Sequence, residues 1–122
     1  MKKKEILGSS ERYVCELLWQ RSPQTMTELL RSLEQNPGWS KSTVNTMLAR
    51  MTEKGLITYE QGEKAKLYKP CIKKRDADLA ETESLIDRVY DGSVSMMMST
   101  LMRQKKLKDE EVAELRKLLD EM

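Results

Sequence analysis

The chain has 122 residues, a formal net charge of +2, 34% charged and 39% hydrophobic side chains, two cysteines and no histidine. That length holds one ordinary core, or one small domain with an accessory element. It has no apolar run near the ~20 residues a membrane span needs, and Cys15 and Cys71 are too far apart, with no histidine beside them, for a zinc finger or a C-x-x-C redox pair.

The start, Met1-Lys2-Lys3-Lys4-Glu5-Ile6-Leu7-Gly8, is basic, but its apolar stretch is too short for a signal peptide, so a cytoplasmic protein is expected. Ser9-Ser10-Glu11 supplies candidate caps for a first helix. Val14, Leu17 and Leu18 form its apolar stripe, broadened by Tyr13, Cys15 and Trp19. Ser22-Pro23 ends it, because a residue before proline avoids helical geometry. Thr25 followed by Glu28 is a capping box for a second helix, with Met26, Leu29, Leu30 and Leu33 as its stripe. Asn36-Pro37-Gly38 is a turn. A third helix follows, capped by Ser40, with Val44, Met47, Leu48 and Met51 at i, i+3, i+4 and i+7 and closed by Lys54-Gly55. Its opposite face carries Ser42, Asn45, Thr46, Ala49 and Glu53, flanked by Thr43 and Arg50. That face is short, polar and mostly uncharged, as an approach to base edges requires. Leu56–Glu60 and Ala65–Lys69 are β-like runs around Gln61-Gly62-Glu63 and read as a hairpin. Two helices, a turn, a capped third helix and a basic hairpin form a winged helix-turn-helix with the third helix in the recognition position.

Pro70 and the charge reversal from Lys73-Lys74-Arg75 to Asp76-Ala77-Asp78 mark a boundary, dividing the chain into a winged-helix domain at 1–74 and a helical region at 75–122. Up to residue 75 there are 15 Lys and Arg against 8 Asp and Glu; beyond it there are 7 against 12. A basic front and an acidic back suit a polyanion at one end and a different task at the other. Asp76 can cap a helix to about Tyr90, carrying Leu79, Ile86 and Val89 or Tyr90 on one side. Asp91-Gly92-Ser93 breaks it, and Ser93 or Ser95 starts a helix containing Met96, Met97, Met98, Leu101 and Met102. After a polar connection, Asp109-Glu110-Glu111 opens a last helix with Val112, Leu115, Leu118 and Leu119 at helical spacing. Three short amphipathic helices enclose little core, and a second copy of the chain is the simplest cover for them. Three adjacent methionines on a helix point in different directions, which sets aside a metal or ligand box; packing accounts for them and for both cysteines, Cys15 within the first helix's apolar pattern and Cys71 at the end of the second wing strand.

The segment Trp39-Ser40-Lys41-Ser42-Thr43-Val44-Asn45-Thr46-Met47-Leu48-Ala49-Arg50-Met51-Thr52-Glu53-Lys54-Gly55-Leu56 resembles the signature of the penicillinase-repressor family of bacterial winged-helix regulators, the BlaI/MecI/CopY type. Glu11 with Leu18-Trp19, Tyr68 and Pro70 after the wing, and the tail from Leu107 to Leu115 fit as well. The resemblance covers essentially the whole chain. It implies a mainly α protein with a small β-hairpin wing, an N-terminal winged helix-turn-helix and a C-terminal helical dimerisation region. It further implies a homodimer on an inverted-repeat, double-stranded DNA operator, with no cofactor and no membrane partner. Thr43 and Thr46 carry over as recognition residues. Ser42 stands where several relatives carry Lys, and here the lysine is one position earlier, at Lys41. Copper-responsive relatives carry C-x-C pairs near the C-terminus, and this chain has no cysteine after Cys71. β-Lactam-responsive relatives are cut at an Asn-Phe bond in the dimerisation region; the corresponding place is Met98-Ser99-Thr100-Leu101, and the chain has no Phe. Neither trigger of the family therefore finds its residues.

The residues divide by chemistry. Thr methyls pack on thymine methyls and Asn45 matches adenine in a bidentate way, whereas Lys41, Arg50, Lys64 and Lys66 suit phosphates. Together with Ser40 and Ser42 these form the expected DNA-reading set. Leu79, Ile86, Val89, Met97, Met98, Leu101, Met102, Val112, Leu115, Leu118 and Leu119 form the expected dimerisation set. A winged helix used mainly for protein–protein contact is the alternative. Catalysis is not expected, because the sequence offers no nucleophile–base pair, metal cage or phosphate-binding glycine loop.

Overall fold

A computed structural model describes residues 7–122. Its elements run α1 (Ser9–Gln20), α2 (Met26–Gln35), α3 (Lys41–Glu53), β1 (Ile57–Gln61), β2 (Lys66–Pro70), α4 (Lys74–Tyr90), α5 (Val94–Arg103) and α6 (Asp109–Asp120). The chain divides into two compact units, one up to Glu81 and one over Thr82–Met122.

In the first unit each helix boundary has a local cause. The N-cap of α1 is Gly8 rather than either serine: the Glu11 carboxylate accepts the Gly8 N–H at 2.9 Å, so Ser9 and Ser10 lie inside the helix. At α2 the expected box is present, with Thr25 Oγ1 accepting the Glu28 N–H at 3.2 Å and Glu28 Oε1 accepting the Thr25 N–H at 3.1 Å. Ser40 caps α3 by accepting the Thr43 N–H at 3.2 Å. The other end of α3 closes through Gly55, at φ +80, with Leu56 N–H reaching the Met51 carbonyl at 2.9 Å and Gly55 N–H reaching Thr52 at 3.1 Å. That double bond pattern satisfies two of the last free carbonyls and needs a left-handed residue, which glycine supplies without a Cβ penalty.

The hairpin pairs β1 and β2 antiparallel, with Ile57 opposite Pro70, Tyr59 opposite Tyr68 and Gln61 opposite Lys66. Both strands sit one residue later than the sequence pattern placed them, and Cys71 lies just past β2 rather than ending it, exposed rather than packed. Gly62 N–H bonds Ala65 O at 2.9 Å across the tip. A Cβ at Gly62 would stand 2.8 Å from that same oxygen, which accounts for glycine there. Gln24 and Tyr68 exchange both backbone hydrogen bonds, at 3.1 and 2.8 Å, adding a one-residue third strand. The buried Gln24 amide also donates to the Leu17 and Arg21 carbonyls at 2.9 and 2.7 Å.

Leu18, Leu29, Leu33, Leu48, Met51, Ile57, Val14 and Val44 are fully buried together. Each such side chain contributes ~1.5–3 kcal/mol when removed from water, enough for this unit to hold a core of its own. Cys15 lies among them, and burial pushes its thiol up to about 11, so it packs as a neutral side chain. Tyr13, expected to widen the α1 stripe, is instead 39% exposed and meets Trp39 edge-on at 5.8 Å.

Asp76 does not cap α4. The helix starts two residues earlier, at Lys74, because the Lys73 carbonyl already accepts from Asp76 and Ala77. Tertiary contacts hold that first turn. Lys74 pairs with Glu16 at 3.1 Å and Asp78 at 3.5 Å, and its ammonium lies 5.2 Å from the Trp19 ring centre. Arg12 of α1 binds Asp78, and also Glu81 at 2.8 Å, while Trp19 Nε1 donates to Ile72 O at 2.8 Å. The Arg12 hydrogen bond holds the Asp78 carboxyl below its ordinary range, with Lys74 adding to the effect.

The second unit is built differently. The left-handed pair Asp91 (φ 54) and Gly92 (φ 84) ends α4, and Ser93 caps α5 by accepting the Met96 N–H at 3.0 Å. Lys108 precedes α6, its N–H taken by Glu111 at 3.0 Å. No residue of α5 or α6 is fully buried. A groove of about 690 Å³ is lined by Val94, Met98, Met102 and Leu119 together with Ser95, Ser99 and Arg103.

Candidate nucleic-acid interface

The third helix has two faces with separate duties. Val44, Leu48 and Met51 are fully buried and Met47 half-buried, so the stripe anchors the helix. Lys41, Ser42, Thr43, Asn45, Thr46, Ala49, Arg50 and Glu53 are all exposed on the other side. Nothing in the core depends on them. Two of the hydroxyls are already committed as donors or partners within the helix. Ser40 Oγ donates to Thr43 Oγ1 at 3.1 Å, and Thr46 Oγ1 donates to the Ser42 carbonyl at 3.0 Å. What Thr46 has left for a ligand is a methyl group and an acceptor lone pair.

Electrostatics favour the same surface. A helix N-terminus carries partial positive charge, so acids stabilise it and cations do not. The first turns of α1, α2, α4 and α6 each contain an acid; those of α3 and α5 contain none, and of these two α3 alone starts with a cation, Lys41. Several other cations of this unit are paired: Lys54 with Glu11 at 2.8 Å, Lys69 with Glu60 at 2.7 Å, Arg21 with Glu28 at 2.8 Å. For Glu11, burial opposes ionisation, but the Lys54 and Gly8 hydrogen bonds outweigh it and hold its carboxyl below 4.5. Among the described residues no carboxylate lies within ion-pair distance of Lys41, Arg50, Lys64 or Lys66. Positive charge is thus left open along α3 and at the wing, around a neutral polar centre.

The wing residues separate by face. Antiparallel pairing puts Tyr59, Gln61, Lys66 and Tyr68 on one side of the ladder and Glu60, Leu67 and Lys69 on the other. The Lys66 ammonium lies 4.4 Å from the Tyr59 ring centre. Lys64 is exposed at the tip. Tyr59 escaped the sequence reading, which had no register with which to place it beside Lys66. Gln24 escaped too, since only its pairing with Tyr68 explains a buried amide before a capping box.

Of the expected dimerisation residues, Leu79, Val89, Met102, Leu118 and Leu119 are 53–67% exposed. Ile86, Met97, Met98, Leu101, Val112 and Leu115 are half-buried. Leu79 belongs to the first unit and the others to the second. Met98-Ser99-Thr100-Leu101 lies inside α5, where Thr100 Oγ1 donates back to the Met96 carbonyl at 3.0 Å.

Known proteins match this arrangement along nearly its whole length. The family model described as penicillinase repressor matches residues 7–121. The penicillinase repressor of Bacillus licheniformis is 28% identical over 121 residues, covering 99% of this chain and 94% of that protein. The methicillin resistance regulatory protein MecI of Staphylococcus aureus (strain N315) is 22% identical, covering 93% of each. The solution structure of the monomeric form of Bacillus licheniformis BlaI in complex with the blaP half-operator is 29% identical. It superimposes with a TM-score of 0.54, covering 62% of this chain and 93% of that one.

Proposed function

The chain belongs to the penicillinase repressor family, and from that membership we propose that it is a dimeric, sequence-specific transcriptional repressor occupying an inverted-repeat operator at a bacterial promoter. One observation carries the site assignment: the exposed face of α3 is a mostly uncharged polar strip bordered by cations that have no acidic partner among the described residues. In this reading α3 enters the major groove. Ser42, Thr43, Asn45 and Thr46 face base edges, and Thr43 and Thr46 offer methyls to thymine. Lys41, Arg50, Lys64 and Lys66 neutralise phosphates and set register, with Ser40 holding the helix start. The activity is occupancy, and no bond-making chemistry is asked of the chain.

The half-buried and exposed stripes of α4, α5 and α6 support the homodimer. Large apolar side chains left in water on three consecutive helices are the pattern of a surface awaiting cover, and methionine suits a joint of irregular shape.

Fluorescence anisotropy tests the proposal, using DNA from just upstream of the protein's own gene beside a scrambled duplex, over a salt series. Four phosphate contacts per protomer give a log–log salt slope of about −7 for a dimer. The expected preference for the upstream DNA is roughly a thousandfold. Weak, equal binding to both duplexes would refute sequence-specific occupancy of that DNA. No binding to either would favour use of the wing and helices for protein contact.

A further inference from the structure

We infer that Tyr59 is a positioning residue, holding the Lys66 ammonium ready for an operator phosphate; this rests on the DNA-binding reading above. The two wing lysines at β2 look equivalent in sequence and are opposite in situation. Lys69 lies on the face with Glu60, whose carboxylate neutralises it at 2.7 Å. Lys66 lies on the other face, diagonal to Tyr59, with its ammonium 4.4 Å from the ring centre and no carboxylate partner among the described residues. A ring attracts a cation without cancelling its charge. The side chain is therefore confined while its charge stays available.

The support beneath the ring is firm. Tyr59 leans on Tyr68 at 5.7 Å between centroids, and Tyr68 is only 8% exposed. Tyr68 is in turn held through its backbone by Gln24. From core to Tyr68 to Tyr59 to Lys66, the ammonium stands on a fixed base rather than on a free four-carbon stem. Immobilising a lysine at the moment of binding costs entropy, and confinement beforehand removes part of that cost.

The test measures operator and scrambled duplexes with Tyr59→Ala, Tyr59→Leu, Tyr59→Phe, Lys66→Ala, Lys69→Ala and the Tyr59→Ala/Lys66→Ala pair. Lys66→Ala should flatten the salt slope by about 0.9 for each protomer bound, while Lys69→Ala leaves it unchanged. Tyr59→Ala should weaken both duplexes equally, by about two- to fivefold for each protomer, and should cost nothing further once Lys66 is Ala. Tyr59→Phe keeps the ring and should match the wild type. Tyr59→Leu keeps apolar contact with Tyr68 but no aromatic face, and should fall with Tyr59→Ala. The inference is overturned if Tyr59→Leu binds like wild type, if Tyr59→Phe falls with Tyr59→Ala, or if the losses multiply in the double variant. Wild-type protein that binds no DNA would instead overturn the repressor reading, and this inference with it.

Discussion

Thr46 offers a sharp test, because substitutions that separate its methyl from its hydroxyl have clearly different expected effects. Its hydroxyl hydrogen is spent on the Ser42 carbonyl at 3.0 Å, so the group facing outward with most to offer is the methyl. Removing one methyl from an apolar contact costs ~0.8 kcal/mol. At about 1.4 kcal/mol per decade that is roughly fourfold per half-site, or about fifteenfold for a dimer using both. Thr46→Ser should therefore lose about fifteenfold on the operator and almost nothing on a scrambled duplex. Thr46→Val keeps the methyl and a similar helix propensity, and should stay within about twofold of wild type. Anisotropy titrations on the two duplexes at one fixed salt concentration give both numbers. Wild-type affinity for Thr46→Ser with a large loss for Thr46→Val would show the oxygen to be the reader, and the reasoning would fail. Equal losses on operator and scrambled DNA would remove Thr46 from the recognition face.

Three further outcomes are expected. Glu11, Glu28 and Asp78 are all held below their ordinary values of 4.5, 4.5 and 3.8, for Glu28 chiefly by the Thr25 backbone N–H and then by Arg21. Carboxyls depressed in the folded state stabilise it above the unfolded value and lose that effect as pH falls through the folded value. The circular dichroism melting midpoint should be level from about pH 7 to 5 and drop below about pH 4.5, and Glu11→Gln should reduce the drop; an unchanged drop in that variant would discount the Lys54 and Gly8 bonds. Gln24→Leu strips the Arg21 carbonyl of its amide donor inside the fold and should cost ~1–3 kcal/mol in urea unfolding; a cost near zero would mean the amide is dispensable. Leu119→Asp places a charge on the most exposed leucine of the expected joint and should yield monomers in sedimentation equilibrium with helical content retained; an undiminished dimer would exclude that face.

Legibility of the fold followed the range of the forces involved. Ser40 and Gly55 bound α3 where the sequence pattern puts them, because a cap and a left-handed turn involve neighbours within a few residues. The α1 cap lacks its usual letter, because Glu11 accepts the Gly8 N–H and so makes the half of a capping box that needs no side chain at the cap. Lys74 starts α4 for reasons that lie across the molecule, at Glu16 and Trp19, and no local window contains those residues. The wing shows the same limit. Its strands are visible as alternating runs, yet which side chains share a face depends on register, and a one-residue slip exchanges the faces. Tyr59 beside Lys66, and Glu60 beside Lys69, emerge only from the pairing. The outward residues of α3 were legible as a set because the buried stripe leaves them no other direction.

That division of α3 bears on how such a protein diverges. Its outer positions make no contribution to the core, so they can drift without a folding penalty, and under the proposed DNA-reading role drift there would redirect the chain to other DNA rather than unfold it. Lys41 and Ser42, both exposed, are positions of this kind. A lineage built on such a helix can acquire new target genes one exposed side chain at a time, with Val44, Leu48 and Met51 preserving the frame throughout.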